Sequence, residues 1–187
     1  HAYERVDMPT QEQVDAFLPP YEPRQVLDPA DPVSIGAMVG PEAFTEVRYL
    51  EHEKQMRALG LIPEIADQFK AGFGRNSGGL VRGYCLEDAE TIVVAMGSVL
   101  GTIKDTVDEM REQGVKIGVL GIISFRPFPL EAVRAALKGA KRVVVLEKTF
   151  AVGIGGILAT DVRTAMDGVE ISDYTVVAGL GGRPITK

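Results

Sequence analysis

Glu147, Arg126, Ser98 and three glycine clusters are the residues here whose type and setting bear on chemistry. Gly97-Ser98-Val99-Leu100-Gly101-Thr102 follows an apolar run and precedes a helical pattern. An α/β domain holds a phosphate at such a place, where a helix N-terminus meets a strand end. The segment has neither GxGxxG nor GxxxxGK[ST] spacing. It reads either as a tight turn into a capped helix or as a contact with a partner or cofactor. Gly153, Gly155 and Gly156 allow close backbone approach ahead of the last helical pattern and form a possible anion nest. Glu147-Lys148 directly follows a strand pattern. Glutamate there serves as acid, base or ligand in α/β enzymes, but a salt-bridged surface pair is commoner.

In Phe125-Arg126-Pro127-Phe128-Pro129 two rigid prolines hold the backbone extended and fix the angle of Phe128. The rings have a packing use under the sheet edge. Arg126 has a second use, a fork of donors for a carboxylate on a neighbouring chain. The final Gly179, Gly181 and Gly182 permit a sharp turn, with Arg183 placed to anchor the tail.

These residues do not add up to a catalytic constellation. Ser98 has no evident base, there is no CxxC, and His1 and His52 are far apart and outside any HExxH motif. His52 lies in a charged helical stretch and reads as a surface or interface residue. No residue is assigned a catalytic, cofactor-binding or metal-binding role. Cys85 is the only cysteine, so the chain has neither an internal disulfide nor the four thiolates of a typical iron–sulfur cluster. The formal charge of −6 argues against nucleic acid and an anionic membrane surface as partners. No run approaches the roughly 18 apolar residues of a membrane span. The opening His1-Ala2-Tyr3-Glu4 has no initiator methionine and no signal-peptide pattern. A cytoplasmic piece of a longer protein is expected.

Near-continuous apolar strands must position these loops. Thr91–Met96, Lys116–Ile123, Arg142–Leu146 and Val169–Val177 alternate with helical patterns after Thr102, at Leu130–Leu137 and at Leu158–Met166. Thr102 is expected to cap the first of these helices, with Asp105 completing a capping box and Gly114 ending it. Such alternation predicts a three-layer α/β domain over residues 88–187, with a parallel sheet of four or five strands covered on both faces. Residues 1–43 read as a proline-rich arm with a short helix at Thr10–Phe17. Residues 44–73 read as helical, with Gly60 and Pro63 expected to kink or split the region. Residues 1–87 therefore form a connecting arm and helices from the end of a preceding domain.

Taken in order, several segments together resemble the alpha subunit of the 2-oxoacid:ferredoxin oxidoreductases, of the pyruvate:ferredoxin type. They are Ala95-Met96-Gly97-Ser98, Phe125-Arg126-Pro127-Phe128-Pro129, Val145-Leu146-Glu147, Gly155-Gly156 and Ala178-Gly179-Leu180-Gly181-Gly182-Arg183. Pro32-Val33-Ser34-Ile35-Gly36, Phe73-Gly74-Arg75 and Glu87-Asp88-Ala89-Glu90 extend the likeness over the whole chain. The resemblance implies the C-terminal part of that subunit, whose 88–187 region is similar to the C-terminal domain of transketolase. It implies oxidative decarboxylation of a 2-oxoacid with coenzyme A to an acyl-CoA, with electrons passing to ferredoxin. Thiamine diphosphate, Mg and iron–sulfur clusters belong to the implied complex and none to this chain, which would be inactive alone. The implied partners are the missing N-terminal alpha domain, beta, gamma and delta type subunits or their fused equivalents, and ferredoxin. Two departures, Glu147-Lys148 for an Asp-Arg pair and Pro184 for an Asp, leave the 2-oxoacid open among pyruvate, branched-chain, aromatic and other types. A stand-alone ligand-binding α/β domain and a related 2-oxoacid dehydrogenase component are the alternatives.

Overall fold

Thr10 ends an extended stretch and starts the first helix, α1 (Gln11–Phe17), in the computed structural model, which describes residues 5–34, 36 and 38–185. His1 and Ile35, both named above, lie outside the described residues. Thr10 Oγ1 accepts from the Gln13 N–H at 3.3 Å, and Gln13 Oε1 accepts from the Thr10 N–H at 2.9 Å. This reciprocal capping box satisfies two donors that the helix leaves unpaired. The chain divides into two compact units, His1–Ser77 and Gly78–Lys187.

In the first unit, α2 (Phe44–Phe73) runs 30 residues without a break, so Gly60 and Pro63 do not split it. One proline removes a single N–H and crowds one carbonyl, that of Leu59, while helical bonding continues on both sides. Gly74 closes α2 in the left-handed conformation, its N–H bonded to the Lys70 carbonyl at 2.9 Å. Seven residues are too few for a helix to persist alone. α1 is held by Phe17, which meets Phe73 and Phe69 edge-on at centroid distances of 5.2 and 5.8 Å. Phe17→Ala is therefore expected to weaken α1 docking by about 1 kcal/mol, read as faster amide exchange at Val14–Phe17 with exchange in mid-α2 unchanged.

The second unit is a five-stranded sheet in the order β1-β3-β2-β4-β5. Its strands are β1 (Val81–Tyr84), β2 (Thr91–Ala95), β3 (Ile117–Ile122), β4 (Arg142–Glu147) and β5 (Ser172–Val177). Strands β2 to β5 are mutually parallel, and β1 pairs antiparallel with β3. The sheet is thus mixed and takes in residues ahead of 88. Four residues including Gly83 carry too short an alternation to stand out as a strand. α3 (Val99–Glu112) covers one face through Val107, packed with Ile117 and Val119. α4 (Leu130–Leu137) and α5 (Ile157–Ala165) cover the other, where Val133, Leu137, Leu158 and Val162 meet Ile92, Val94, Leu120 and Val143. The chain steps from β2 to β3, then back past β2 to β4 and on to β5. Keeping one crossover hand while reversing direction moves the helices to the opposite face.

α3 begins three residues before Thr102, so Thr102 and Asp105 do not form its cap. Ser98 occupies the N-cap position without a side-chain bond. Thr102 is one turn inside, its carbonyl accepting from Thr106 Oγ1 at 3.1 Å. Apolar Val99 and Leu100 carry the helix back to the strand end, and Leu100 lies against Gly121 of β3. Gly114 ends the helix region in the left-handed conformation, as its type predicts.

At the amino edge of the sheet, Arg111 Nη2 meets Asp88 Oδ1 at 2.7 Å and Lys141 Nζ meets Glu90 Oε2 at 3.0 Å. The hydrogen bond from Arg111 holds Asp88 below its ordinary range, and the one from Lys141 does the same for Glu90. Folding therefore favours the ionised carboxylates, and below about pH 5 the unfolded chain binds more protons. Their contribution is complete at neutral pH and is lost as pH falls through roughly 4 and below. Acid titration of the Asp88→Asn, Glu90→Gln double variant should show a shallower loss of stability, with the difference shrinking in high salt.

Candidate functional site

Constant crossover hand brings every loop that follows a parallel strand to one edge of the sheet. The direction of winding reverses between β2 and β4, and the crevice at the carboxyl ends of two such strands is where open α/β sheets take ligands. A cavity of about 280 Å³ lies there, lined by Met96 and Val99 after β2, Phe125 after β3, Lys148 and Thr149 after β4, and Ile157 at the start of α5. The structure thus brings the segments at 97, 125, 147 and 156 to one edge.

Glu147 does more there than its sequence setting indicates. Its side chain is buried, not paired on the surface with Lys148. Oε2 accepts from the Ile157 and Leu158 N–H groups, each at 2.9 Å, and from Thr149 Oγ1 at 2.5 Å. Oε1 accepts from the Ala159 N–H at 3.0 Å. One carboxylate thereby satisfies three of the four open donors of α5 and faces the positive end of its dipole. The glycine turn makes room for it. A Cβ on Gly156 would fall on Glu147 Oε1, and Gly155, at φ +98°, closes the turn through paired bonds with Ala151. The anion nest foreseen at Gly153–Gly156 therefore has an internal anion, which repels a second. The readable signal was a helix start with no capping side chain of its own, ten residues after a strand-end glutamate.

Arg126 directs its fork within the chain. Nη1 and Nη2 reach Asp161 Oδ2 and Oδ1 on α5 at 3.0 and 3.2 Å, and the guanidinium lies 4.2 Å from the Phe125 ring centre. Within this chain, then, the carboxylate that meets the Arg126 fork is Asp161, and the side chain stays half-exposed. The Arg126–Pro127 peptide is cis. Phe125 and Phe128, edge to face at 6.5 Å, pack against the core under α4 and α5, as the packing reading holds. Lys148 lines this crevice, whereas Ser98 lines the cleft beside α3. His52 is exposed on α2. Cys85 is half-buried in the turn after β1, and its carbonyl accepts from Arg111 Nη2 at 2.8 Å. Gly179 and Gly182 turn the chain after β5, where Arg183 lines a second cleft with Val144 and Leu146. Among the described residues no group of three or more His, Cys, Asp or Glu side chains is placed to hold a metal. Nor is any helix long and apolar enough to cross a membrane.

Fold and edge together define a doubly wound α/β domain whose loops converge on an apolar crevice. Residues 89–187 match the family model described as pyruvate:ferredoxin oxidoreductase core domain II, and the chain belongs to that family. Similarity extends further. The chain is 45% identical to the pyruvate synthase subunit PorA of Methanosarcina barkeri, over 99% of this chain and 47% of that protein. It is 40% identical to PorA of Methanothermobacter thermautotrophicus, over 100% of this chain and 48% of the relative. It is 37% identical to the ketoisovalerate oxidoreductase subunit VorA of Pyrococcus horikoshii, over 100% of this chain and 48% of the relative. The chain thus spans about half the length of the curated relatives it matches. Among solved structures, 2-oxoglutarate:ferredoxin oxidoreductase from Magnetococcus marinus aligns over 64% of this chain and 19% of that one, at 22% identity and a TM-score of 0.46. A split-gene transketolase, described as an inactive beta4 tetramer, aligns over 51% of this chain and 32% of that one, at 21% identity and a TM-score of 0.43.

Proposed function

We propose that this chain is the C-terminal structural and assembly region of the alpha subunit of an enzyme that oxidatively decarboxylates a 2-oxoacid with coenzyme A, forming an acyl-CoA and reducing ferredoxin. The observation that carries the reading is similarity along the whole chain to subunits named pyruvate synthase and ketoisovalerate oxidoreductase. Pyruvate is the proposed substrate, since identity is 45% to a pyruvate synthase subunit and 37% to a ketoisovalerate one. The unit up to Ser77 is proposed as arm and helices from the end of a preceding domain, and the unit from Gly78, which takes in β1 ahead of residue 88, as a transketolase C-terminal-like domain.

Thiamine diphosphate, Mg and iron–sulfur clusters are assigned to other parts of the complex, and no catalytic or cofactor-binding residue to this chain. The donor set agrees, because one thiol, Cys85, does not fit a four-thiolate cluster. The Glu147 carboxylate, bound to the first amides of α5, likewise disfavours a diphosphate at that helix start. The proposed partners are an N-terminal alpha domain, beta, gamma and delta type subunits or fused equivalents, and ferredoxin, in the cytoplasm. An assembly role is supported by α2, which has no buried residue and leaves Phe44, Tyr49, Leu50, Met56, Leu61 and Ile65 exposed.

The test uses the alpha subunit that carries this sequence, co-expressed with the other subunits of its complex. CoA-dependent ferredoxin reduction is expected with a higher kcat/KM for pyruvate than for 2-oxoisovalerate. Deleting the region is expected to abolish co-purification of the partner subunits. An alpha subunit without it that still assembles and turns over would refute the reading. The crevice between β2 and β4 favours a second reading, a small-ligand-binding domain. That reading requires ligand binding by the isolated chain that Lys148→Ala removes.

A further inference from the structure

We draw no further inference here: the strongest candidate, the open apolar cleft of about 620 Å³ between α3 and the turn around Gly179, floored by Val93, Val144 and Leu146, carries none because nothing in the structure shows what covers it.

Discussion

Replacing Glu147 with alanine is expected to destabilise the Gly78–Lys187 unit by about 3 kcal/mol, with a thermal midpoint lower by roughly 10 °C or more. The change removes an acceptor shared by three backbone N–H groups and the Thr149 hydroxyl. A buried donor left without a partner costs about 1–3 kcal/mol. Leu158 and Ala159 are buried, so water reaches their N–H groups poorly, whereas half-exposed Ile157 recovers part of its loss from solvent. The charge itself adds a favourable interaction with the helix dipole. Glu147→Gln separates the two contributions. It keeps one acceptor oxygen but turns an amide N–H₂ toward backbone donors, so it should restore only part of the stability. Denaturant unfolding followed by far-UV circular dichroism gives the midpoints. A loss below about 1 kcal/mol for the alanine variant would mean that water replaces the carboxylate at little cost.

Those four bonds also mark where reading residues in order stops being enough. The helices and parallel strands were legible because their signals are periodic and local, such as Thr10 before α1, the run at Ile117–Ile122 buried throughout, and Gly114 after α3. β1 was not, since Val81-Arg82-Gly83-Tyr84 gains its identity only by pairing with β3, some forty residues on. The start of α3 was misplaced because Thr102 with Asp105 three residues on reads as a capping box, whereas Ser98, the true N-cap residue, makes no side-chain bond. Tertiary packing of Val99 and Leu100 outweighs that preference. At the candidate site, the segments at 97, 125, 147 and 156 were recognisable by composition. Their partners were not. Asp161 for Arg126 and the α5 amides for Glu147 lie 35 and 10 to 12 residues away, and only the crossover geometry brings them within bonding distance.

The largest steric effect is expected at Gly118, where alanine should destabilise the unit by about 3 kcal/mol, the upper part of the range for overpacking. Gly118 lies in the buried interior strand β3, paired with Ile92 of β2. A Cβ there would meet the Cys85 carbonyl oxygen, with the Cys85 carbonyl carbon at 2.9 Å and the Tyr84 oxygen at 3.0 Å. All three are backbone atoms, so no rotamer change relieves the clash. The connection after β1 would have to move outward. Arg111 opposes that movement by bonding the Cys85 and Ile117 carbonyls at 2.8 and 2.7 Å and Asp88 at 2.7 Å. Either these anchors break or β1 leaves its register with β3, so amide protection at Val81–Tyr84 should fall before that of the other strands. Gly101→Ala provides the opposite case. Gly101 is inside α3 with nothing within 4 Å of its Cβ position, and alanine should stabilise the helix by about 0.5–1 kcal/mol. Denaturant midpoints moving in opposite directions for the two substitutions would place the difference in the packing of β1 on β3. A neutral Gly118→Ala would instead show that the turn at Cys85 yields freely and that Arg111 does not hold it.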